Sequence, residues 1–184
     1  MPQAEEQPRA SRRSHWVNHL ARHAHGDPEG VALRFRGETT TWRKLHSRVE
    51  RLAAALADRG VATGDRVAML MGNRPEYVEA LLATNRLGAI GVPVNFRLAA
   101  REIAYILENS GAAVLFVDEL GAETGGQAAD QVDHDVELIG VGEAEAAAAS
   151  RLDAVLEEGH DAIPTVDVPE DAPCLLYTSP SPRD

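Results

Sequence analysis

Few side chains in this sequence are placed where they could do chemistry. His15, His19 and His23, with His25 beside them, fall at i, i+4 and i+8 on a stretch of helical character, a spacing that suits zinc or nickel. No carboxylate lies in register with that row, and the glutamate of an H-E-x-x-H metalloprotease motif is missing. A solvated helix face follows, and no metal ligand is assigned. The run "GVGEAE", Gly140 to Glu145, begins like a dinucleotide loop. It lacks the third glycine and sets Glu143 and Glu145 where phosphates would sit, so it reads as a plain turn. Arg97, in the turn from Asn95 that follows an apolar run, can meet a phosphate of ATP or coenzyme A; otherwise it is a solvated arginine.

The exclusions are as informative. There is no G-x-x-x-x-G-K-[ST] phosphate loop and no serine in a G-x-S-x-G elbow. The one cysteine, Cys174, rules out a disulfide within the chain and a cysteine-held metal. Carboxylates abound after Asp118, but abundance alone describes a solvated surface. Arg97 is therefore the one cofactor-binding candidate, and no residue is assigned a catalytic role.

Composition narrows the class. At 184 residues, 44% hydrophobic and 26% charged, the chain can build one domain with a real core. The net charge of −11 is uneven: residues 118–171 hold 16 acidic groups against Arg151 alone, and the remainder is net basic. Such a chain, with arginines spread over a tail, a strand and a helix, is not expected to bind nucleic acid. The opening "MPQAEEQPRASRRSHW" has no apolar signal-peptide core, and no later run is long enough to cross a bilayer. A cytoplasmic protein without a transmembrane segment is expected, with residues 1–13 as a disordered leader.

The elements that would carry any site follow from periodicity. "VALRFRGETTTW" alternates apolar and polar residues around Gly37, the mark of a half-exposed hairpin. Thr41 can cap a helix with Trp42, Leu45, Val49, Leu52, Ala53 and Leu56 on one stripe, closed by Gly60. Apolar runs near 67–71, 89–94 and 113–117 alternate with helices, one capped by Asn73 with Pro75 in its first turn and one carrying Ile103, Ile106 and Leu107. Strands apolar on both faces and joined by helices predict an α/β fold with a mostly parallel sheet and covering helices. Beyond residue 118, "ETGGQAADQVDHD" reads as loop, "VELIGV" as a fourth strand, "EAEAAAASRLDAVLEEG" as a helix, and "HDAIPTVDVPEDAP" as an extended linker.

These residues carry a resemblance. Thr41-Trp42, Gly64 to Val67, Asn73 to Glu76, Pro93 to Asn95 and Glu102 to Leu107 occur in the order seen in the N-terminal part of adenylate-forming acyl-coenzyme A synthetases. The run "NFRL" resembles the fatty-acyl and related carboxylate ligases. The resemblance implies activation of a carboxylate by ATP and magnesium to an acyl-adenylate, then transfer to coenzyme A. It also implies that the phosphate loop, the magnesium and ribose ligands and the mobile lysine lie after Pro173. Residues 14–173 then form the incomplete N-terminal part of the AMP-binding domain, and this piece alone is expected to be inactive. The alternative is a non-catalytic α/β binding or interaction module with the acidic 118–171 segment as a partner surface.

The last eleven residues, "CLLYTSPSPRD", contain the Tyr177 to Ser179 run that opens the family's phosphate loop, but Pro180 stands where a glycine is needed. They also resemble a translated tagmentation adapter. Residues 174–184 are therefore expected to be a non-native artefact tail that docks nowhere, with the natural frame continuing past Pro173.

Overall fold

The computed structural model describes residues 18–144, 148, 150–158, 168 and 172–177. Helix α1 (Asn18–Gly26) leads into an antiparallel hairpin of β1 (Val31–Phe35) and β2 (Glu38–Thr41). Its turn places Arg36 and Gly37 both at positive φ. Helix α2 (Trp42–Asp58) starts where predicted: the Thr41 hydroxyl accepts from the Lys44 N–H at 3.3 Å. Then come β3 (Arg66–Leu70), α3 (Pro75–Arg86), the edge strand β4 (Ile90–Pro93), α4 (Ala100–Ser110), β5 (Val114–Val117), α5 (Ala122–Ala129), β6 (Glu137–Gly140), β7 (Ser150–Arg151) and α6 (Leu152–Glu158).

The five later strands form one parallel sheet in the order β4-β3-β5-β6-β7, so the α/β expectation is met. Alternation along the strands explains the unbroken apolar runs. Val67, Met69, Val114, Phe116 and Ile139 face a core with α1, α2, α3 and α6. Ala68, Leu70, Leu115, Val117 and Leu138 face a second core with α4 and α5. A strand buried on both sides has no polar position to spare.

Four expectations need correction. The cap of α3 is Arg74, not Asn73, which is exposed; Pro75 occupies the first turn as expected. The glycine-rich run after residue 122 is helix, not loop. A Cβ at Gly125 would stand 2.9 Å from Val117 Cγ1 and 3.1 Å from Leu70 Cδ2. Glycine there lets α5 lie close on the sheet, and that contact outweighs its poor propensity.

The helix expected over residues 143–159 begins only at Leu152, because Ser150 and Arg151 pair with Ile139 and Gly140 as a fifth parallel strand. The Ser150 hydroxyl also donates to Glu137 Oε1 at 2.9 Å. An open sheet edge offers bonds that a local alanine-rich preference cannot match. Residues 174–177, finally, do dock. Gly91 N–H donates to the Cys174 carbonyl at 3.0 Å and Leu176 N–H to the Gly91 carbonyl at 2.8 Å, which places this segment parallel to β4. The leader 1–13, most of the 160–173 linker and residues 178–184 lie outside the described residues.

Candidate functional site

All five parallel strands end on the same side of the sheet, so the loops after β3, β5 and β6 share one edge. The strand order reverses between β3 and β5, since the chain goes from β3 to β4 on one side and returns to β5 on the other. The crevice at such a reversal is the general ligand position of open α/β sheets.

What fills it here is an arginine clamp. Asp118, 2% exposed at the end of β5, accepts from Gly72 N–H at 2.8 Å and from Leu120 N–H at 3.0 Å. Arg74, which follows β3, donates from Nε to Glu76 at 2.9 Å and from Nη1 to Glu119 at 2.9 Å, and its Nη1 stands 3.7 Å from Asp118 Oδ2. Gly142, after β6, lies under the guanidinium: a Cβ there would meet Arg74 Nη2 at 2.6 Å, and its φ of 66° suits glycine besides. One side chain thereby ties three strand ends together.

The electrostatics are closed. Burial works against the Arg74 charge, but its bonds to Glu76 and Glu119 hold its pKa above the ordinary value. A hydrogen bond from its own backbone N–H, and then the Arg74 charge, draw Glu119 below the usual carboxylate range against the effect of burial. One guanidinium thus faces three carboxylates, bonded to two of them and 3.7 Å from the third. Among the described residues no group of three or more histidine, cysteine or acidic side chains could hold a metal ion.

The residues singled out from the sequence do not converge on it. His19, His23 and His25 lie exposed on α1, where His23 stacks on Trp42 at 4.5 Å between ring centroids; His15 lies outside the described residues. Gly140 to Ala144 form the expected turn, with Ala144 N–H donating to Val141 at 3.4 Å. Arg97 is exposed, its backbone N–H bonded to Asn95 Oδ1 at 3.0 Å and its guanidinium 5.7 Å from the Phe96 ring. No motif in the sequence singles out Arg74 or Asp118. Their signal is positional: Asp118 follows directly on an apolar strand in "VLFVD" and Arg74 comes four positions after one in "MLMGNR", so both lie in loops at the same edge.

The edge also has an unfinished side. Leu175 pairs with Gly91 in parallel, so Leu176 and Tyr177 run on beside β4 in its direction. Leu176 and Tyr177 line an apolar hollow with Val92, Pro93, Tyr105 and Ile106.

The family model described as AMP-binding enzyme matches residues 20–181. The chain belongs to the AMP-binding enzyme family. The matched range takes in Cys174 to Tyr177, so the segment docked on β4 is part of the AMP-binding match. Feruloyl-CoA synthase of Amycolatopsis sp is 39% identical over 161 residues, covering 87% of this chain and 30% of that protein. The fatty acid–[acyl-carrier-protein] ligase ScoC of Streptomyces coeruleorubidus is 37% identical, covering 85% of this chain and 29% of the ligase. The chain thus spans about 30% of the length of these curated relatives. The solved N-terminal domain of FACL13 from Mycobacterium tuberculosis has a TM-score of 0.77 at 28% identity, over 90% of this chain and 42% of that one.

Proposed function

We propose that this chain is the N-terminal part of an ATP-dependent acyl-CoA synthetase, which converts a carboxylate and ATP to an acyl-adenylate and pyrophosphate and then to a thioester of coenzyme A. The observation that carries this reading is the AMP-binding match over residues 20–181, nearly all of which lies before residue 174. AMP-binding ligases use ATP, magnesium and coenzyme A in general. Following the family resemblance, we assign the catalytic groups to sequence beyond Pro173 and no activity to the 184-residue chain alone.

The substrate class is a carboxylate on an apolar body, a fatty acid or a related acid. Relatives named for feruloyl and fatty-acid substrates support that breadth. Residues 174–184 are assigned to an artefact of the source DNA, with the family's strand and phosphate loop in their natural place. Among the described residues no helix is long and apolar enough to cross a membrane, and we assign the protein to the cytoplasm.

Sequencing the source DNA across the Pro173 codon defines the frame to express. ATP–pyrophosphate exchange is then measured with fatty and aromatic carboxylates. Exchange by the longer product and none by the 184-residue chain is expected. A stop codon directly after Asp184, or a longer product without carboxylate-dependent exchange, overturns the reading.

A further inference from the structure

Asn85 sits on α3 at 1% exposure, an awkward place for an amide. Asparagine is a poor helix former, and its Oδ1 is buried without a hydrogen-bond partner. The end of the helix does not require it, since Leu87 N–H donates to Thr84 at 3.2 Å and Ala89 N–H to Thr84 at 3.1 Å through the backbone. Locally the Asn85 amide gains only a 3.3 Å bond to the Ala89 carbonyl. Its other bond is distant: Nδ2 donates to the Cys174 carbonyl at 3.0 Å, across 89 positions of sequence.

That carbonyl receives two donors, Asn85 Nδ2 and Gly91 N–H, from two different elements. A strand joined to an edge by backbone bonds alone can slip, and a slip of one residue turns every side chain to the other face. Two donors converging on one carbonyl remove that freedom, because any slip breaks both bonds. Gly91 makes the convergence possible: a Cβ there would stand 2.7 Å from Leu81 Cδ1 of α3 and 3.4 Å from Leu175 Cδ2, so a larger residue would push helix and incoming strand apart. The bond is to main chain, so it is indifferent to the side chain at position 174.

We infer that Asn85 is a positioning residue that pins the register of the strand entering at residue 174, and so fixes which residues stand at the carboxyl edge when the chain turns into the phosphate loop. The inference rests on the ligase reading for its functional consequence and on geometry alone for the pin.

The test is hydrogen exchange on the 184-residue chain and its Asn85→Leu variant, which keeps the branched shape and removes the donor. The Leu176 amide reports the seat, and the amide of the buried Val141, bonded to Val117 at 2.8 Å between β5 and β6, reports global opening in the same sample. The ratio of the two rates is expected to rise about five- to tenfold in the variant, the loss of one ordinary hydrogen bond. Because it is a ratio, it reads the pin even where the variant is destabilised as a whole. An unchanged ratio overturns the inference. In the longer enzyme the same substitution is expected to raise KM for ATP with a smaller change in kcat, whereas unchanged KM and kcat would overturn the positioning role. Failure of all carboxylate-dependent exchange would sink the ligase reading and leave the amide ratio to judge the pin.

Discussion

The carboxyl edge of the sheet has a closed centre and an open side. At the centre, Arg74 binds Glu76 and Glu119 and lies over Gly142, while Asp118 bonds the backbone of Gly72 and Leu120; little polar capacity is left over. At the β4 side, Cys174 to Tyr177 hang on two backbone bonds and one amide, with Tyr177 69% exposed. The reversal point of an α/β sheet is where a ligand is ordinarily sought. Here the protein's own charges occupy it, with Arg74 bonded to Glu76 and Glu119.

The contrast can be broken most directly at Arg74. Arg74→Ala leaves the buried Asp118 without its cation and Glu76 and Glu119 without their partner. Stability is expected to fall by about 3 kcal/mol, the low end for breaking a buried pair, read from urea melts. An effect below about 1 kcal/mol would show that the centre is no tighter than an ordinary surface pair.

Acid loosens the same clamp by degrees. Because the folded protein holds the Glu119 pKa below its unfolded value, the contribution is whole above the ordinary carboxylate range of about 4.3 and is lost as pH falls through the lower folded value. Glu119 is half exposed, so the loss is expected to stay under about 1 kcal/mol. Melting temperatures from pH 7 to pH 3 in the parent and in Glu119→Gln would show it as a slope that the variant lacks. The smallest effect is expected for Arg97→Ala. That side chain is exposed, with its guanidinium over the adjacent Phe96 ring, and its removal should change stability by less than about 0.5 kcal/mol. A larger loss would mean that the open side carries structural weight not visible in its bonds.

Much of the frame from β1 to β5 is legible in the amino-acid order, because period-two and helical patterns there come from side chains that do the burying themselves. Trp42 to Leu56 is a stripe, and Val67 to Leu70 a run, because of which atoms go inside. The misses share a different cause. α5 is held by the absence of side chains at Gly121 and Gly125, and β7 by backbone pairing at a free edge. Neither leaves a pattern in hydrophobicity. The Arg74 clamp depends on carboxylates 2, 44 and 45 positions downstream, a coincidence that only the parallel topology creates. Cys174 to Tyr177 show no docking signal of their own, yet a main-chain seat accepts any residue with a carbonyl.

The edge at Gly91 has a history in time as well as a place in space. During synthesis β4 is complete some 80 residues before Leu175 emerges, which at about 5–20 residues per second leaves the edge bare for several seconds. A bare strand edge is an invitation to pair with whatever nascent chain lies nearby. β4 ends in Pro93, which has no N–H to offer, and is only four residues long. A brief, proline-ended strand is a poor template for strangers.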